Sequence, residues 1–156
     1  MTQIDFYIVA ENSPRDINQM VCRLCEKALS QKMSVLIYTK STAQAQQLDD
    51  LLWTFKADSF IAHHNLSSES EHSDTGPQSE FNYPILISST DRFSDVQNHE
   101  HYTQLLINLT SETPSIYQQF ERLAEMVDKT PHARETARNR YRFYRQQGYS
   151  LNKYDL

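Results

Sequence analysis

Short, nearly continuous apolar runs recur along this chain, and they limit its fold more than anything else in the sequence. Ser34-Val35-Leu36-Ile37-Tyr38, then Tyr83 to Ser88 around Ile85-Leu86-Ile87, then Gln104 to Leu109 are such runs. Without polar alternation they suit strands buried on both faces, as in parallel sheets covered by helices. Ile4-Asp5-Phe6-Tyr7-Ile8-Val9 reads as a further strand, rich in β-branched and aromatic residues. Between the first two strands Ile17, Met20, Val21, Leu24, Cys25, Ala28 and Leu29 recur at the three- and four-residue spacing of one helical stripe. Strands alternating with helices predict a single Rossmann-like α/β domain over 1–156, with a mostly parallel sheet and helices on both faces.

Local signals place the other elements. Ser13-Pro14 resembles a helix start, with a capping hydroxyl before proline. Ser41 and Gln44 resemble a capping box opening a second helix through Ala45, Leu48, Leu51 and Leu52 to about Trp53. Residues 62–82 hold Ser, Glu, His, Asp, Gly and Pro with little apolar content, and predict a long exposed loop. Thr113-Pro114 predicts a helix with the stripe Ile116, Phe120, Leu123, Ala124 and Val127. Thr130-Pro131 predicts a last, basic helix over 131–148, ending near Gly148.

Composition excludes several functions. The chain has 156 residues and only two glycines, Gly76 and Gly148. Glycine-rich phosphate loops need several glycines within a few residues, so a nucleotide enzyme of the usual kind is not expected. No G-x-S-x-G elbow places a nucleophile. No run approaches the ~18 apolar residues of a membrane span, and the first residues do not resemble an export signal, so a cytoplasmic protein with no membrane role is expected.

Cys22 and Cys25 form a C-x-x-C, but they fall inside the first helix, where Cys25 lies on the apolar stripe. Redox pairs use a helix N-terminus to lower the thiol pKa, and zinc needs further ligands, so core packing is the expectation. His63, His64, His72, His99 and His101 form no recognised ligand pattern and read as solvated loop residues. No metal and no cofactor are expected.

Two surfaces stand out. Trp53, at ~100° per residue, falls off the arc of Ala45, Leu48, Leu51 and Leu52. With Phe55 and Phe60 it forms either an exposed aromatic patch of the kind that anchors partners or a cap on the sheet edge. The other surface is the last helix. The net charge is −5, yet residues 131–156 carry six cations against Glu135 and Asp155, leaving an acidic body with a basic end. With Arg134 at zero, Arg145 falls at ~20°, Arg138 at ~40°, Arg142 at ~80° and Tyr141 at about −20°. Four guanidinium groups and a phenol thus share an arc of ~100°, which suits carboxylates, phosphates or stacked rings. A face that merely offsets the acidic body remains the alternative.

Ala137-Arg138-Asn139-Arg140-Tyr141-Arg142-Phe143-Tyr144-Arg145, followed by Gly148-Tyr149-Ser150-Leu151, resembles the C-terminal signature of the chi subunits of bacterial DNA polymerase III holoenzyme. Asp5-Phe6-Tyr7, Leu48-Asp49-Asp50-Leu51-Leu52-Trp53, Ser59-Phe60, His64-Asn65-Leu66 and Pro84-Ile85-Leu86-Ile87-Ser88 extend the likeness in the same order. Residues 67–82 and 111–132 match poorly.

The resemblance implies a non-catalytic accessory subunit of the clamp-loader complex, with a nucleotide-binder-like fold that has lost the nucleotide site. It implies binding of the acidic C-terminal tail of single-stranded DNA-binding protein, which ends in a phenylalanine carboxylate. By position that role falls on Arg138, Tyr141 and Arg142, with Arg134 on the preceding turn and Thr130 nearby. Trp53, Phe60 and Phe55 correspond to the surface for the psi subunit, which in some members a helicase contests. DNA would then be engaged only indirectly. The rival from the residues alone is direct single-stranded nucleic-acid binding by the arginine–tyrosine helix, against which the net negative charge argues.

Overall fold

A computed structural model of the protein describes residues 2–14, 16–54, 63–65, 84–89 and 104–155. Among the described residues seven strands and three α-helices follow one another: β1 (Gln3–Ile8), α1 (Ile17–Ser30), β2 (Val35–Thr39), α2 (Thr42–Thr54), β3 (His63–Asn65), β4 (Ile85–Ser89), β5 (Leu105–Asn108), β6 (Arg122–Val127), α3 (Pro131–Gln146) and β7 (Leu151–Asp155). The strands form one sheet in the order β3-β4-β2-β5-β6-β1-β7. Every ladder in it is parallel. The expected α/β architecture is therefore present.

Successive side chains of a strand point to opposite faces, so each apolar run feeds two cores. Val35, Ile37, Ile85, Ile87, Leu105, Ile107, Ala124 and Met126 pack against Met20, Val21, Cys22, Cys25 and Ala28 of α1 and Ala45, Leu48 and Leu52 of α2. Ile4, Phe6, Leu36, Leu86, Leu106, Leu123 and Val127 face the other way, towards Ala137 and Tyr144 of α3. Both cysteines lie in the first core as free thiols. Burial, with the Asp16 charge adding to it, pushes the Cys22 thiol up to about 12, and burial pushes Cys25 up as well.

Four expectations from the sequence need correction. Residues 122–127 are a strand, not the second half of a helix. Their apolar residues fit a helical stripe, but Leu123 and Val127 also alternate with Ala124 and Met126 across two faces. Between β5 and β1 that alternation fills both cores, and hydrogen-bonded neighbours flank the strand on both sides. The upstream residues form only a 3-10 turn, Tyr117–Gln119. Second, α1 starts at Ile17 rather than at Ser13-Pro14. Asp16 Oδ1 accepts from the Asn18 amide at 3.0 Å and Gln19 Oε1 accepts from the Asp16 amide at 3.3 Å, a capping box that opens the helix at Ile17.

Third, His63 and His64 are not loop residues, because β3 pairs them with Ile85 and Leu86 of β4. The rest of 62–82 lies outside the described residues, as do His72, His99 and His101. Fourth, β7 has no counterpart among the predicted strands. It is an edge strand paired on one side only, and after Leu151 it is exposed, so it lacks the apolar run that betrays a central strand.

The turn into β7 positions everything that follows. Gly148 adopts φ +88°, the Gly148 amide donates to the Arg145 carbonyl at 3.1 Å, and the Tyr149 amide donates to the Tyr144 carbonyl at 3.2 Å. That is a Schellman motif, in which a left-handed residue closes the helix and reverses the chain. The strand is then fixed beside β1 by its ladder, by Asn152 Nδ2 donating to Asp5 Oδ1 at 3.0 Å, and by Tyr154 stacked on Tyr7 at 5.1 Å.

Candidate functional site: a cationic groove between α3 and β7

Thr130 caps α3, its hydroxyl accepting from the Ala133 amide at 3.1 Å, and Pro131 occupies the first turn, where its missing N–H is harmless. The helix then returns along the sheet with two faces of different chemistry. Ala137, Arg140 and Tyr144 turn inward and are buried. Arg138, Arg142 and Arg145 turn outward and are exposed, with Arg134 and Tyr141 half-buried at the margin.

The inward face is held by a polar cluster that sequence reasoning did not find. Glu125 of β6 is fully buried, and its carboxylate accepts from Asn108 Nδ2 at 2.7 Å and from the Tyr144 hydroxyl at 2.5 Å. Arg140 Nε lies 3.2 Å from the same carboxylate without an aligned N–H, while Arg140 Nη1 donates to the Ser111 carbonyl at 2.8 Å. Burial raises the Glu125 pKa, and Arg140, Tyr144 and Asn108 oppose that rise. Burial, reinforced by the Glu125 charge, raises Tyr144, so the phenol stays a donor. Arg140 is one of the arginines of the signature block, yet it is committed to the interior. Its signal was its angle, well away from the other four.

On the outward side α3 and β7 enclose a groove of about 540 Å³. Phe6, Ile8, Val127 and Ala137 supply its apolar lining, and Tyr141 packs edge-on against Phe6 with ring centroids 5.4 Å apart. Arg134, Arg138, Arg142, Arg145 and Lys153 surround it, against a single acid, Asp155. Among the described residues no carboxylate pairs with Arg138, Arg142, Arg145 or Lys153. Arg134 is partly tied, with Nη2 donating to the Val9 carbonyl at 3.3 Å and Nη1 4.0 Å from Glu11. Unpaired guanidinium forks above an apolar floor can hold carboxylates while the floor takes a hydrophobic side chain.

Of the residues singled out in the sequence, Arg134, Arg138, Tyr141 and Arg142 all line this groove, and Thr130 does not. Arg145, which shared the arc, joins them. Phe6, Ile8, Lys153 and Asp155 were missed as site residues, because only strand pairing brings β1 and β7 beneath α3. Trp53 lies in the last turn of α2, while Phe55 and Phe60 fall outside the described residues. Among the described residues no group of three or more His, Cys, Asp or Glu is placed to hold a metal, and no helix is long and apolar enough to cross a membrane.

Comparison with known proteins follows the same lines. The fold is similar to that in the crystal structure of T4 UvsW, with a TM-score of 0.72 at 10% identity, over 99% of this chain and 41% of that one. At that identity the likeness concerns fold alone. Residues 1–152 match the family model described as DNA polymerase III chi subunit, HolC. The chain is 36% identical to the DNA polymerase III subunit chi of Pseudomonas aeruginosa, over 100% of this chain and 98% of that protein. It is 32% identical to the Haemophilus influenzae subunit chi over 94% of this chain and 92% of that one, and 28% identical to the Escherichia coli subunit chi over 97% of each. With a family match over nearly its whole length and a full-length relative above 30% identity, the chain belongs to the DNA polymerase III chi subunits, accessory subunits of DNA replication.

Proposed function

We propose that this chi subunit is an adaptor without catalysis of its own, which links single-stranded DNA-binding protein to the clamp-loader complex. Its groove between α3 and β7 takes the acidic C-terminal tail of single-stranded DNA-binding protein. The observation that carries this reading is the surplus of cations around an apolar floor: four arginines and a lysine against Asp155. A tail ending in phenylalanine offers a ring for Phe6, Ile8 and Val127, a terminal carboxylate for a guanidinium, and further carboxylates for the remaining cations. Arg138, Tyr141, Arg142 and Arg134 make the contacts, and Thr130 contributes by starting the helix at the right place. The psi subunit is assigned by family resemblance to the surface of Trp53, Phe55 and Phe60, where a helicase competes. The assembly works in the cytoplasm and meets DNA through its partners.

Direct binding of single-stranded nucleic acid by the same arginines is less well supported. The Tyr141 ring is half-buried edge-on against Phe6, and the chain as a whole is acidic. Fluorescence anisotropy with a labelled acidic peptide ending in Pro-Phe tests the proposal. Saturable, salt-sensitive binding is expected, lost on Arg138→Ala and lost when the peptide lacks its final Phe. No binding to the wild-type protein at low salt would refute the assignment. Comparable affinity for an oligonucleotide would favour the other reading.

A further inference from the structure

The sheet has a second bare surface, on the face opposite the groove. On the α1 side β4, β2, β5 and β6 are buried under α1 and α2 through residues such as Ile87, Ile37, Ile107 and Ala124. Beyond β6 the cover ends: Tyr7 of β1 stays half-buried, and Asn152 and Tyr154 of β7 are exposed. Side chains alternate along β7, so Tyr154 stands on this face while Lys153 and Asp155 line the groove on the other. With Phe143, Tyr154 is one of the two large hydrophobic residues exposed among the described residues.

Between the C-terminal half of α1 and the stacked pair of Tyr7 and Tyr154 lies a hollow of about 210 Å³. Leu24, Ala28, Met33 and Leu105 supply its apolar walls. It has room for one large side chain and falls short of the ~300 Å³ at which small-molecule sites begin. Its charges are unbalanced. The single acid, Asp5, is buried and already answered, accepting from Arg122 Nη2 at 3.2 Å, Asn152 Nδ2 at 3.0 Å and Gln3 Nε2 at 3.3 Å. The other N–H groups of Arg122 have no partner among the described residues, and neither has the Lys27 ammonium. An apolar hollow with spare cations beside it is complementary to an apolar side chain flanked by carboxylates.

We propose that this hollow docks a protein segment that is acidic and carries one large apolar residue, which enters between α1 and the tyrosine pair. Burial of the anchor supplies the attraction at the centre, and Lys27 and Arg122 engage the acids at the rim. No residue of the hollow lines the groove, and α2, which carries Trp53, packs at the other end of the sheet against β3 and β4. The site is therefore open while both of those surfaces are occupied, and it needs no terminal carboxylate.

Short peptides blocked at both ends supply the probes: Asp and Glu around a central Phe, the same peptide with Ala at the centre, and the Phe peptide with Lys in place of every acid. Binding is read from proton–nitrogen correlation spectra of the whole chain. The Phe peptide is expected to shift the amides of Tyr7, Leu24, Lys27 and Tyr154, and the other two peptides to bind at least about threefold more weakly. Tyr154→Ala should weaken the Phe peptide about three- to tenfold, the worth of an aromatic contact. Lys27→Glu, at an exposed helix position that leaves the sheet untouched, should weaken it about two- to fivefold, the worth of an exposed ion pair. Arg138→Ala should leave it unchanged. Shifts confined to the groove, loss of binding on Arg138→Ala, or equal binding of the Phe and Ala peptides overturns the proposal. So does the absence of any shift with the Phe peptide at millimolar concentration.

Discussion

Replacing Tyr144 by Phe isolates the contact that seats α3 on the sheet. Tyr144 is fully buried, and its ring packs against Phe6, Tyr117 and Tyr149 with centroids 6.1, 5.4 and 6.3 Å away. Phenylalanine retains all three ring contacts and creates almost no cavity. What disappears is the hydroxyl that donates to Glu125 Oε2, while Asn108 and Arg140 continue to serve the same carboxylate. A hydrogen bond to a charged group contributes about 1.5–3 kcal/mol, and the surviving partners argue for the middle of that range, about 2 kcal/mol. At roughly 2–4 °C per kcal/mol for a chain of this size, the melting temperature should fall by about 4–8 °C.

The loss should also depend on pH, with a definite sign. Burial already raises the Glu125 pKa, and the Tyr144 hydroxyl is one of the groups that oppose the rise. Without it the folded-state pKa climbs further, so ionised Glu125 destabilises the variant more than the wild-type protein. The deficit is complete above the variant's folded-state pKa and shrinks as the pH falls through it and the carboxyl takes up a proton. Urea denaturation of both proteins at about pH 8 and about pH 5 measures this directly. An unchanged midpoint at the higher pH, or a deficit that grows on acidification, would refute the account of the buried cluster.

Other perturbations give equally definite outcomes. Lys32 ends α1 at φ 58°, the left-handed position of a second Schellman motif, with the Met33 amide donating to the Ala28 carbonyl at 3.0 Å. Lys32→Gly should therefore stabilise the protein by up to about 1 kcal/mol in chemical denaturation. Gly148→Ala should do the reverse, costing about 1 kcal/mol through the φ of +88° alone, because nothing lies within 4 Å of the added Cβ. Cys22 and Cys25 should remain unreactive towards a thiol reagent in the native protein near neutral pH and react only on unfolding, since burial raises both thiols. Rapid native labelling would show that α1 opens locally.

Patterning alone determined the class of fold, because a strand buried on both faces must be apolar throughout and a helix lying on a sheet must be apolar on one side. The arc of Arg134, Arg138, Tyr141, Arg142 and Arg145 was equally legible, since helical geometry sets the relative direction of side chains within one helix whatever it packs on. Pairing between distant segments was not legible. Arg122–Val127 carries a helical stripe, and only the place between β5 and β1 makes it a strand. Leu151–Asp155 is too polar to announce itself, and the ladder to β1 is what makes it one.

The same division runs through the site. Its four arginines come from a single helix and could be read from their spacing. Its floor and its balance of charge depend on Phe6 and Ile8, which pairing with β6 sets beneath α3, and on Lys153 and Asp155, which reach the groove when the turn at Gly148 lays β7 beside β1. Arg140 shows the limit most plainly. It stands two residues from Arg138 and two from Arg142, yet it pairs with a buried carboxylate while they face solvent. A local angle separates it from the others, but only the sheet beneath the helix decides which side is the interior.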